Sequence, residues 1–157
     1  MARRPLRIAT TEQLERSARE AGYDVYLLPT LPSLDFNRSI QDRIADGPIL
    51  REFFERNDIE LVLDFNAAAL TFVPSAGGGG KTAITTSELG IPYVACYLDP
   101  VTSTLAQVNW DDHWHILENG TWIKWVWESA HAEELQKLGI PNVFALHMAA
   151  ANDDFDT

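Results

Sequence analysis

Three stretches of the chain hold residue types that could do chemistry. The first is a run of four glycines, Gly77 to Gly80, followed by Lys81 and Thr82. Gly80-Lys81-Thr82 has the form of the end of a phosphate-binding loop, where backbone N–H groups cradle phosphates and a lysine reaches the β and γ oxygens. That pattern also requires a glycine five residues before Gly80, where Ser75 stands, and a loop springing directly from its strand. Here residues 67–76 separate Asn66 from the first glycine. Four successive glycines fit a flexible or closely approached loop better.

The second stretch pairs Asn66 with Asp99, which close two buried-strand sequences, ELVLDFN (60–66) and YVACYLD (93–99). Strand, loop, helix, strand is the unit of an open parallel α/β sheet, whose ligands lie beyond the carboxyl ends of the strands. Asn66, Gly78, Gly79 and Asp99 would converge there. An aspartate so placed can take the proton of a hydroxyl as a base, or it can cap the chain before Pro100. Glu128 and His147 follow later strands and are second choices for the same edge. The third stretch, Asp111-Asp112-His113-Trp114-His115, holds metal-ligand types. No helical spacing puts them on one face and no second cluster completes a site, so a surface loop is expected.

The elements that must position these residues follow from periodicity. Residues 6–10 (LRIAT) and 24–29 (DVYLLP) read as strands around a helix that Thr10 or Thr11 caps, with Glu12 and Glu15 in its first turn and Gly22 as its stop. The first turn carries no glycine, so the G-x-G-x-x-G seat of a dinucleotide is missing. Residues 40–44 suggest a helical turn, and Pro48 suits the first position of a helix running to Arg56. A helix over 82–89 ends at Gly90, before the strand at 93. Residues 121–127 read as a strand after the Asn119-Gly120 turn, Ser129 caps a helix that stops at Gly139, and 142–148 (NVFALHM) is a last strand. Six strands alternating with helices predict one Rossmann-like, doubly wound, mostly parallel α/β domain over residues 1–157.

A chain of 157 residues with 46% hydrophobic and 22% charged content can bury a sizeable core. No apolar run reaches the ~20 residues of a membrane span, and the start is too polar for a signal peptide. A cytoplasmic location is expected. Cys96, mid-strand among apolar residues, reads as a small buried hydrophobe. The net charge is −11, and all nine arginines lie between Arg3 and Arg56. From Leu61 onward three lysines face twelve acids, which disfavours a nucleic-acid backbone or an arginine clamp on a polyphosphate. All five tryptophans fall between Trp110 and Trp127. They either pack the sheet against a helix or leave rings exposed to stack on a sugar or a second domain.

Gly139, Asn142-Val143, Leu146, Ala149-Ala150 and Phe155 are similar to the G-x-x-N-V-x-x-L-P-x-A-A-x-x-x-x-F run of CgeB-like (spore maturation protein type) glycosyltransferases. The resemblance extends back through residues 125–138 and through 90–100, where Leu98-Asp99-Pro100 stands for the family's D-D-P or D-N-P. It covers most of residues 60–157. His147 stands where that family usually has proline, and the glycine loop and the tryptophan-rich stretch have no counterpart. The resemblance implies a GT-B arrangement of two Rossmann-like domains, this one the N-terminal, acceptor-side half, with residues 149–157 beginning a linker. The nucleotide-sugar would be held mainly by a C-terminal donor-binding domain, with no cofactor and no strict need for a divalent metal. Alone, the domain would be inactive. Two other classes stay open: a non-enzymatic small-ligand or partner-binding module, and a P-loop-like nucleotide-binding domain.

Overall fold

The computed structural model describes residues 4–31, 39–97 and 115–146. In chain order the elements are β1 (Arg7–Thr10), α1 (Glu12–Glu20), β2 (Asp24–Leu27), α2 (Ile40–Arg56), β3 (Leu61–Phe65), β4 (Phe72–Pro74), β5 (Thr82–Ile84), α3 (Thr85–Glu88), β6 (Tyr93–Tyr97), β7 (Trp122–Val126), α4 (Ser129–Lys137) and β8 (Val143–Ala145). Six strands form one parallel sheet in the order β2-β1-β3-β6-β7-β8. Helices cover both faces, and the fold is the Rossmann-like α/β architecture that the strand and helix periodicities predict.

The alternation of side chains along each strand divides the core between the two faces. On one side Ile8, Val25 and Leu61 pack against Ala18 of α1. On the other, Ala9, Val62, Tyr93, Ala95, Trp122, Val126 and Val143 pack beneath Leu50 and Phe54 of α2 and Leu135 of α4. Trp122 is fully buried and stacks on Tyr93 with ring centroids 6.3 Å apart. The Lys124 ammonium lies 4.2 Å from the Trp122 ring centroid and donates to the carbonyls of Leu117, Trp122 and Pro141. Burial holds that ammonium down at about 8.

Two local expectations are corrected. The helix to Arg56 does not begin at Pro48 but at Ile40, and passes through the proline. Its start is a capping box: Asp42 N–H donates to Ser39 Oγ, and Ser39 N–H donates to the Asp42 carboxylate. A proline inside a helix forfeits one backbone bond, but burial of Leu50 and Phe54 beyond it outweighs that loss. One residue earlier, Gly47 is pressed so close to β4 that a methyl group there would overlap the Phe72 carbonyl oxygen.

The second correction concerns the glycine run. Residues 82–89 are not one helix: Thr82–Ile84 is a strand, paired antiparallel with β4, and only Thr85–Glu88 is helical. The connection after β3 therefore contains a β-hairpin with the glycines at its tip. Gly78, Gly79 and Gly80 all take positive φ, +73°, +76° and +70°, which lets the chain reverse without a side-chain clash. Glu88 secures the base of the tip, accepting from Ala76 N–H at 3.0 Å and Ser75 Oγ at 3.3 Å.

Candidate functional site

From β1 the chain steps first to β2 on one side and later to β3 on the other. Connections leaving the carboxyl ends of β1 and β3 diverge, and a crevice opens at such a reversal. A cleft of about 410 Å³ lies there, lined by residues 11–13 at the start of α1, 28–31 after β2, 65–69 after β3, and Arg43 and Leu50 of α2.

The β3 wall of the cleft is unusual in its backbone. Asn66 and Ala67 both take left-handed conformations, with φ of +52° and +56°. Asparagine accepts that region readily, whereas alanine there costs on the order of 1–2 kcal/mol. The offsetting bonds come from beneath. Asp64, fully buried, accepts Phe65 N–H at Oδ1 and Ala69 N–H at Oδ2, each at 2.6 Å. Tyr93 donates its hydroxyl to Oδ2, also at 2.6 Å. Arg43, 4% exposed, donates from Nη1 to the carbonyls of Ala67 at 3.1 Å and Leu70 at 2.8 Å. A carboxylate thus grips amides at the ends of the turn, and a guanidinium grips carbonyls within and just after it.

Burial pushes the Asp64 carboxyl up to about 6, against the opposing pull of the Tyr93 hydroxyl, the two amides and Arg43. Burial first, then the neighbouring carboxylate, raises the Tyr93 phenol well above its ordinary value. At neutral pH the cluster is one anion, one cation and a neutral phenol that donates.

Of the residues expected at the carboxyl edge, Asn66 lies on the cleft. Gly78 and Gly79 do not line it; they are exposed at the hairpin tip, because the inserted strands carry the glycine run away from the end of β3. Glu128, not Ser129 as expected, is the N-cap residue of α4; it is exposed and likewise absent from the lining. Asp99 and His147 lie outside the described residues. So do Asp111, Asp112, His113 and Trp114; His115 places Nε2 2.9 Å from the Thr82 carbonyl oxygen. Among the described residues no group of three or more His, Cys, Asp or Glu side chains could hold a metal ion.

A smaller, apolar hollow of about 190 Å³ adjoins the cleft and shares Phe65 with it. Cys96, Trp125, Trp127 and Leu146 line it; Trp127 is 48% exposed and Trp125 half-buried. The described tryptophans, Trp122, Trp125 and Trp127, thus divide between packing and exposure. Burial pushes the Cys96 thiol up to about 11, which keeps it an unreactive, mostly apolar side chain at neutral pH.

Asp64, Arg43 and Tyr93 escape a reading that looks only for polar residues at strand ends. One signal was present: an acid inside an otherwise apolar strand has to be partnered, since an unpaired buried charge is prohibitive. No described helix is long and apolar enough to cross a membrane. No protein-family model, curated protein or solved structure matches the chain.

Proposed function

We propose that this domain is the acceptor-side half of a two-domain glycosyltransferase, and that the cleft between β1 and β3 receives an uncharged, hydroxyl-bearing acceptor. The observation that carries the reading is the chemistry of the helix end facing the cleft. α1 opens on Thr11, Glu12 and Gln13 instead of glycines, so a carboxylate occupies the positive pole of the helix and opposes a diphosphate. Arg43, the cation among the described lining residues, has Nη1 committed to two carbonyls. The other described lining groups are hydroxyl, amide and carboxylate beside the apolar Leu28, Leu50 and Phe65, a lining suited to orienting a small polar molecule over an apolar surface.

The similarity of the C-terminal third to CgeB-like enzymes supplies the reaction class. In this reading a nucleotide-sugar is bound by a C-terminal donor domain, and Asp99 takes the proton of the acceptor hydroxyl in a cytoplasmic enzyme. A second reading, a small-ligand module without a catalytic partner domain, draws on the strand order, which follows the flavodoxin-like pattern with its ligand at this same reversal.

The test is an NMR titration of the protein with glucose, galactose, maltose and lactose, and separately with UDP and with magnesium ATP. Saccharides are expected to shift the amides of Gln13, Asn66 and Ala68 in a saturable way, with UDP leaving them unmoved. Saturable UDP binding in the cleft, or no response to any saccharide, overturns the acceptor reading. Magnesium ATP binding that Lys81→Ala abolishes would restore the phosphate-loop reading of the hairpin tip.

A further inference from the structure

The 66–69 turn is built at a cost that a plain surface turn does not need to meet. Glycine at positions 66 and 67 would remove the backbone strain, and apolar neighbours would hold such a turn without burying two charged groups. Instead two successive non-glycine residues sit in the left-handed region, secured by a fully buried carboxylate and a nearly buried guanidinium. Strain and buried charge concentrated on one wall of one cleft are features that accumulate where a shape must be held for a ligand.

We propose that Asp64 is a positioning residue of the cleft: ionised, it and Arg43 hold the 66–69 turn in its ligand-receiving shape, and on taking up a proton it slackens that wall and weakens binding. This rests on the reading of the cleft as the ligand site. The proton has to go onto an oxygen whose hydrogen-bonding neighbours are donors. Phe65 N–H faces Oδ1, and Ala69 N–H and the Tyr93 hydroxyl face Oδ2. The phenol can rotate and accept the new O–H; an amide N–H has no such alternative. Both amide bonds pass from charge-assisted to neutral, about half as strong. The attraction between the Arg43 charge and the Asp64 carboxylate is lost.

The titratable and charged groups that act on Asp64 are Tyr93 and Tyr97 on the same face of the sheet, Arg43 from α2 and, from the opposite face, Cys96. The phenols and the thiol stay neutral well above neutrality, so the carboxyl changes its charge before any of them in mild acid. Its buried position, with the value pushed up to about 6, brings the change within an accessible range. By linkage, a ligand that prefers the ionised state must also favour loss of the Asp64 proton.

The first arm of the test needs no ligand. Amide chemical shifts and hydrogen exchange are followed by NMR from about pH 4.5 to about pH 7.5. Phe65 and Ala69 amides are expected to titrate together near pH 6, with protection of residues 65–69, measured relative to the intrinsic exchange rate at each pH, falling on the acid side while that of Val62 and Val94 holds. Asp64→Asn should abolish the titration. Amides that do not titrate, or that titrate with unchanged protection, overturn the proposal. The second arm measures maltose and lactose affinity on both sides of the midpoint. Binding about tenfold weaker one pH unit below it is expected, because only the ionised fraction binds; an affinity indifferent to pH overturns the proposal. Should Asp64→Asn fail to fold, Tyr93→Phe serves: loss of its donor should move both curves to higher pH together. If no saccharide binds at any pH, the acceptor reading falls, and the amide arm still decides whether Asp64 holds the turn.

Discussion

Tyr93 reaches diagonally across the sheet to donate its hydroxyl to Asp64 at 2.6 Å. The register partner of Asp64 is Ala95, two residues further along β6. The phenol therefore runs along the strand toward the carboxyl edge and ends beneath the cleft wall. Its ring meanwhile stacks on Trp122, so one side chain joins the middle of the core to the site.

Tyr93→Phe keeps the stack and removes the donor. Hydrogen bonds to charged groups contribute about 1.5–3 kcal/mol, and the variant should lose stability of that order at neutral pH. Urea unfolding measures it; an unchanged midpoint would mean that the phenol bond contributes nothing net.

The pH dependence of stability has a definite sign. Asp64 stands at about 6 in the folded chain against 3.8 for an unburied aspartate. Between those values the folded state binds the proton and the unfolded state does not, so stability associated with Asp64 is present in acid and lost as pH rises through about 6. The loss is about 3 kcal/mol. Asp64→Asn cannot ionise, so the unfolding free energy of the native chain relative to this variant should fall between about pH 4 and pH 7. Parallel pH profiles for the two proteins would contradict the prediction. The acid that slackens the wall thus also relieves the burial of a charge, and local order and global stability move in opposite directions.

Arg43→Ala should be the most damaging of these changes. It leaves the Ala67 and Leu70 carbonyls without this donor and Asp64 without its facing cation. Breaking a buried ionic arrangement from one side costs about 3–5 kcal/mol. Arg43→Lys keeps the charge but not the planar fork and should fall between the two. Thermal unfolding of both variants orders them; an Ala variant as stable as the native chain would show that the guanidinium does not support the turn.

Gly47→Ala sets two effects against each other. Alanine favours a helix interior by about 1 kcal/mol over glycine. The added methyl, however, would meet the Phe72 carbonyl, which belongs to backbone that cannot rotate away. Overpacking of that kind costs about 1–3 kcal/mol, so the net expectation is destabilisation with displacement of the β4–β5 hairpin from α2. A stabilised variant would show that the hairpin yields freely.

The six strands were legible because apolar runs ending in polar or turn residues report buried parallel strands whatever their neighbours do. Asn66 was legible as a site residue for the same reason. Asp64 was legible in principle, as an acid within LVLDF, but its partners were not. Tyr93 lies 29 residues on, and the carbonyls that Arg43 holds lie 24 and 27 residues beyond it. Such pairings are set by strand order, which periodicity does not encode. The same limit explains Pro48, where a local preference for helix starts competes with the Ser39–Asp42 capping box upstream, and the hairpin, where glycines conceal two three-residue strands.

Among the described residues the cleft lining draws on positions up to Ala69, so a growing chain on the ribosome has made that wall before β6 is synthesised. The Asp64 carboxylate, though, is not complete until Tyr93 docks alongside it. Until then a nascent β1–β3 unit carries a half-satisfied acid in its centre, which penalises early closure. This wall of the cleft is written early in the polypeptide but matures late, and a fragment ending near residue 70 should hold its strands more readily than its cleft.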